Sequence, residues 1–209
     1  RPADGIGFRG ISANDRRVAS GGVPGVVNTP GEPIDENTVF QIGSVSKSFT
    51  ATIMGQLVDE GLVKWTDTVK NILPDFKYYD PWVTDHMQVM DIMTHRTGIG
   101  GQVGTYFPNL GYDREDCYRM LALYKPAYTF RGAYQYNNST FLIAEKIIEK
   151  VTGKSWEENL QERVFNKAGM KSSSANADGY AASKNVATPH DYRYTTVELA
   201  KAQFPELVD

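Results

Sequence analysis

Ser44-Val45-Ser46-Lys47 sets a hydroxyl and an amine three residues apart. At that spacing two side chains share one face of a helix, so the Lys47 amine can reach the Ser44 proton. A serine hydroxyl is a weak nucleophile until a neighbouring base removes that proton. Such a pair supplies the base without histidine, and the chemistry open to it is nucleophilic acyl transfer.

The flanking residues supply the helix. Phe49, Ile53, Met54, Leu57 and Val58 recur at three- and four-residue spacing, the pattern of a helix with one buried face. Gly61 is a suitable stop, which places the helix end at about Glu60. Residues 38–42 read as a short extended approach. Ser44 then falls at the helix N-terminus, where free N–H groups and the positive end of the dipole favour a developing alkoxide. A plainer reading fits the same residues: Ser44 as an N-cap and Lys47 as a solvated charge.

Tyr136-Asn137-Asn138 stands immediately before a second apolar-periodic stretch, Phe141, Ala144, Ile148 and Val151. A tyrosine with a cation nearby runs with a depressed pKa and can act as acid or base. The Asn138 amide can accept from an ammonium and donate to a substrate carbonyl. Against this, Tyr136 continues an aromatic run with Tyr128, Phe130 and Tyr134, and packing alone accounts for such a run. The three histidines, His86, His95 and His190, open a rival in which His95 serves Ser44 as base. No two of them have the spacing of metal ligands.

Together these stretches resemble the serine β-lactamase and penicillin-binding-protein superfamily, most closely its class C-like serine hydrolases. The likeness follows Thr38-x-Phe40-x-Ile42-Gly43-Ser44-x-Ser46-Lys47, residues 57–61, Ile72-Leu73-Pro74-Asp75-Phe76 and residues 91–98. It continues through Tyr136-x-Asn138 and Glu149-x-Val151-Thr152-Gly153-Lys154-Ser155, and closes at residues 165–170. The resemblance implies that Ser44 forms an acyl-enzyme, that Lys47 helps to activate it, that Tyr136 carries the proton and that Asn138 orients substrate. It assigns His95 to a structural helix-end segment. It implies an α/β (α+β) fold with a helical lobe, about residues 44–171, packed on an antiparallel sheet lobe. It implies hydrolysis of peptide amides, carboxylic esters or β-lactams with no cofactor and no metal, and it favours a periplasmic or secreted setting.

One departure accompanies the match. The superfamily carries a third motif, Lys-Thr/Ser-Gly or His-x-Gly, on a strand after Tyr-x-Asn, and no such triplet follows Asn138. Arg96-Thr97-Gly98 has similar letters but precedes Tyr136, and Lys171-Ser172-Ser173 lacks the glycine. The expectation is one β-lactamase-like domain over residues 1–209 with its sheet lobe incomplete, finished by further sequence or by a second chain. A catalytically silent member that binds peptidoglycan or a partner is the alternative reading.

Bulk properties set the outer limits. The 209 residues carry 22 Lys plus Arg against 25 Asp plus Glu, for a net charge of −3, which is not the basic footprint of a nucleic-acid binder. No apolar run reaches the roughly 18 residues of a transmembrane helix. Cys117 is the single cysteine, so an intrachain disulfide is impossible, and the acidic turn around it favours an inert thiol.

The remaining punctuation predicts a strand near residues 7–11, a short helix before Pro74, a break at Asp80-Pro81, and a helix capped by Thr84 or Asp85. It also predicts a glycine-rich mobile loop over residues 99–110, a helix over residues 114–124, and a capping box at Ser155-Trp156-Glu157-Glu158.

Overall fold

The apolar stripe after Lys47 becomes α1, Ser46–Asp59, with Ile53, Met54 and Leu57 fully buried and Phe49 and Val58 packed at its margin. A 3-10 turn, Gly43–Val45, leads into it, so Ser44 lies in the entering turn and not at a cap. Gly61 adopts the left-handed conformation (φ 74°) that ends the helix.

The computed structural model describes residues 37–187. It divides into two units. The larger covers residues 42–176; of the smaller, residues 37–41 and 177–187 are described. In the smaller unit Val39 bridges Val186 in parallel, through Val39 N–H to Asn185 O and Ala187 N–H to Val39 O, each at 2.9 Å, and α9 spans Ala177–Ala182. The expected strand at residues 7–11 lies outside the described residues. Among the described residues β structure is limited to that bridge and to an antiparallel one between Thr68 and Gln88.

The larger unit is built on α6, Phe141–Thr152, which touches α1, α2 (Val69–Ile72), α4 (Val89–Met93), α5 (Arg114–Met120) and α7 (Trp156–Leu160). Ala144 and Ile148 are buried as the spacing predicts, and Ile143 and Ile147 join them, so the apolar face is broader than the sequence reading. Gly153 closes α6 at φ 69°. The Ser155 capping box forms in full: Ser155 Oγ accepts from Glu158 N–H at 3.1 Å, and Glu158 accepts from Ser155 N–H at 2.7 Å. Leu160 and Val164 are buried beyond it, across a π-helical turn, Gln161–Phe165, that hands over to α8, Asn166–Ala168.

Two local expectations are corrected. Asp80-Pro81 does not interrupt structure but starts it: Asp80 accepts from Trp82 N–H and Val83 N–H, and Pro81 occupies the first position of α3, Pro81–His86. A proline fits there because the N–H it lacks has no partner within a helix anyway. Thr84 and Asp85 are therefore inside α3, and the next helix, α4, opens at Gln88, whose N–H the Asp91 carboxylate accepts at 2.8 Å. The Thr84 hydroxyl turns back on the carbonyls of Tyr78 and Asp80.

The core makes a direct prediction. Ile147→Ala removes packing at a fully buried position and should lower unfolding free energy by ~2–5 kcal/mol. Leu123→Ala, at a side chain 73% exposed, should change it by less than about 0.5 kcal/mol. Urea denaturation followed by far-UV circular dichroism measures both.

Candidate active site

α1 sets the direction of two groups. Ser44 in its entering turn and Lys47 one turn on lie on one face, with Lys47 Nζ 3.3 Å from Ser44 Oγ. The helix leaves Ser44 exposed and Lys47 half-buried. Nothing within α1 fixes the far end of the lysine. That is done from a distance of 91 residues, where Asn138 Oδ1 accepts from Lys47 Nζ at 2.7 Å. The ammonium also lies 4.8 Å from the Tyr136 ring centroid and 5.5 Å from that of Phe141. Two aromatic faces and an amide oxygen thus hold one cation.

Tyr136 completes the group. Its hydroxyl donates to Ser44 Oγ at 2.6 Å, so the serine oxygen stands between an ammonium and a phenol. Burial acts to raise the Tyr136 pKa. The interactions with Lys47 and Ser44 and the lysine's positive charge outweigh it and hold the phenol below its ordinary value of 10.0. Of the lowering influences the hydrogen-bond interaction with Lys47 is the largest, then that with Ser44, and the lysine's charge, the cause read from the sequence, comes last.

All four expected residues, Ser44, Lys47, Tyr136 and Asn138, therefore meet at one point. His95 does not join them at Ser44 Oγ. It is buried, and its Nδ1 accepts the Asn137 backbone N–H at 3.2 Å. The ring lies against Tyr136, Phe141 and Tyr134 at centroid separations of 4.6, 5.1 and 5.7 Å. His86 is exposed and stacks on Trp82; His190 lies outside the described residues. Cys117 is buried, and burial followed by the neighbouring carboxylates Asp116 and Asp113 pushes its thiol up, as expected of an inert cysteine. Among the described residues no cluster of His, Cys, Asp or Glu could hold a metal ion.

Three structural contributors carry no signal in the sequence for the part they play here. Asn137, the middle letter of Tyr-x-Asn, is completely buried. Its Nδ2 donates to Gly100 O at 2.9 Å and Val103 O at 3.0 Å, and its Oδ1 accepts Thr140 N–H at 3.0 Å, ahead of α6. The glycine-rich segment is thus held against the site, and its glycines serve close approach. A Cβ on Gly104 would stand 2.2 Å from Ser139 Oγ, and Gly104 already has φ 80°.

The second contributor is Arg131, which pairs bidentately with the buried Asp91 of α4 at 2.7 and 2.8 Å. Arg131 N–H reaches Arg96 O at 2.9 Å, while the Arg96 guanidinium donates to Arg131 O. The third is Phe141, legible only as a core residue, whose face the lysine uses. An isolated buried Asn and a carboxylate and guanidinium 40 residues apart leave no periodic signal.

Comparison with known proteins places these residues in context. The Beta-lactamase family matches residues 10–204. The chain is 29% identical to the unguisins hydrolase of Aspergillus campestris over 181 residues, 80% of this chain and 33% of that protein. It is 31% identical to the teichoic acid D-alanine hydrolase of Staphylococcus aureus over 147 residues, 67% of this chain and 32% of that protein. Among solved structures, the D-amino acid amidase of Ochrobactrum anthropi SV3 superposes with a TM-score of 0.56 at 26% identity, covering 67% of this chain and 39% of that one. The chain spans about a third of the length of these curated relatives.

The Tyr136 phenol is open to direct titration. The difference in phenol absorbance between the protein and Tyr136→Phe isolates one tyrosine of twelve and should show it ionising below pH 10. Lys47→Met removes the charge that favours phenolate, so the same difference titration should move upward.

Proposed function

The chain belongs to the Beta-lactamase family, and from that membership we propose that it carries the catalytic serine of a hydrolase working through an acyl-enzyme. The observation that supports this reading most is the flanking of Ser44 Oγ by Lys47 Nζ at 3.3 Å and Tyr136 OH at 2.6 Å.

Ser44 Oγ attacks the substrate carbonyl carbon while its proton passes to the Tyr136 oxygen. A phenolate made accessible by the neighbouring ammonium is a competent acceptor. Lys47 holds that charge balance at the serine throughout. The tetrahedral oxyanion lies near the N-terminal end of α1, where main-chain N–H groups favour negative charge. Collapse expels the amine or alcohol, which takes its proton from Tyr136, and leaves Ser44 acylated. Water then attacks the ester, gives its proton to the same oxygen, and Ser44 recovers its own as the acid departs. Asn138, fixed on Lys47 through Oδ1, keeps its amide nitrogen for the substrate carbonyl.

The substrate class is an acyl group carried on an amide, an ester or a strained lactam. Two of the similar proteins named above have D-amino acid derivatives in their names, which supports acyl donors with a D-configured centre.

Ser44→Ala should remove covalent labelling by a fluorescent fluorophosphonate or penicillin and leave the fold intact, because Ser44 is exposed in the entering turn and a surface substitution of that kind changes stability by about 0.5 kcal/mol or less. Labelling of that variant at the original rate would overturn the assignment, and absence of labelling in the unaltered whole protein would favour a binding role. Tyr136→Phe should reduce turnover of an amide by ~10²–10⁴ and that of a nitrophenyl ester by much less, since only the amine needs protonation to leave. Steady-state kinetics on a matched amide and ester tests this.

A further inference from the structure

His95 is not used in the chemistry above, and we propose that it is the positioning residue for Tyr136. Its unprotonated Nδ1 holds the Tyr136-Asn137-Asn138 segment against Ser44, and protonation of the ring releases that hold. The consequence for rate rests on the hydrolase reading; the structural content does not.

Tyr136 is bracketed by two hydrogen bonds from one residue. The His95 carbonyl accepts Gln135 N–H at 2.8 Å, just before Tyr136, and the His95 ring accepts Asn137 N–H at 3.2 Å, just after it. The ring then packs on Tyr136 itself, 4.6 Å between centroids. His95 can do this because it stands in the left-handed conformation, φ 54°, at the end of α4. That conformation is uncommon outside glycine, with Asn, Asp and His enriched in it. Asn137 is fully buried, so its N–H has no access to water as a substitute partner.

A backbone N–H can only donate, so Nδ1 must carry its lone pair and the ring must be neutral. A second proton turns Nδ1 into a donor facing a donor. The groups that face the ring are Lys47 from α1, and Tyr134 and Tyr136 from the segment it holds. On its own side, the Asp91 carboxylate and the Arg96 guanidinium are both engaged by Arg131. Burial, and after it the Lys47 charge, lower the His95 pKa below its ordinary value of 6.5. The ring is therefore neutral at neutral pH, and the release occurs on the acid side of 6.5.

Two variants of the whole protein separate the acceptor from the bulk of the ring. His95→Asn places an amide oxygen where Nδ1 stands, tolerates positive φ and does not titrate. His95→Ala has no acceptor. The readout is the rate of Ser44 labelling by a fluorophosphonate across acid to neutral pH. In parallel, the His95 ring and Asn137 amide resonances are followed by NMR.

The unaltered protein should lose labelling as His95 protonates. His95→Asn should lack that component while labelling within a few-fold at neutral pH, and His95→Ala should be slower by ~10², the scale for a misplaced catalytic group. An acid limb unchanged in His95→Asn, or His95→Ala labelling at the original rate, would overturn the proposal and leave the hydrolase reading standing. If His95→Ala fails to fold, the pH profile of His95→Asn decides. If the unaltered protein is not labelled at any pH, the hydrolase reading fails and the NMR decides. An Asn137 amide that shifts with the His95 midpoint supports the hold, and one indifferent to it refutes it.

Discussion

The buried Asn137 side chain is the junction through which the larger unit is assembled around Ser44. Its amide nitrogen binds two carbonyls of the glycine-rich segment, its amide oxygen binds an N–H ahead of α6, and its own N–H rests on His95. Those four bonds reach three pieces of chain, and Asn137 itself is completely buried. In such surroundings an unmade hydrogen bond costs the full desolvation of the polar group, about 1–3 kcal/mol. The arrangement is therefore specific, because moving any one piece strands polar atoms on the others. Tyr136 and Asn138, on either side of Asn137, can point out of the core toward Ser44 because the residue between them points in.

The same constraint explains how a mobile side chain is placed on a helix surface. Lys47 has a flexible stem, and α1 alone leaves its ammonium free to explore solvent. Asn138 and two aromatic faces, both brought by the segment that Asn137 anchors, restrict it to a position beside Ser44. Lys47, by hydrogen bonding first and charge after it, then lowers the pKa of the phenol that shares the serine oxygen. The Ser44 hydroxyl, the Lys47 amine and the Tyr136 phenol form one electrostatic unit across two parts of the chain, and the core beneath it keeps their separation fixed. The Asp91–Arg131 pair does similar work further out, tying α4 to the turn that leads into Tyr136.

Much of this is legible in the residues. Helix stops at Gly61 and Gly153, the capping box at Ser155 and the buried faces of α1 and α6 come from local rules that act within one or two turns. The Ser44 and Lys47 pairing comes from helical geometry alone. The misreadings are also local. Proline at the start of α3 reads as a break because its role depends on whether Asp80 caps the helix it opens. The four glycines after Thr97 read as freedom when they serve close packing against residues 124–139. A glycine that must be small and a glycine that must be flexible look the same in a sequence.

Residue order by itself determined which groups could react, since serine and lysine three apart need only a helix to meet. It also carried the family's motifs in their order. Only the tertiary structure decided that Tyr136 and Asn138 arrive at that helix, 92 and 91 residues away from their partners, and that His95 lies beneath them instead of beside the serine. The physical reason is that local rules depend on backbone periodicity, whereas the meeting of distant segments depends on satisfying buried polar groups one by one. Asn137 and Asp91 do so without leaving any repeat in the sequence to mark them.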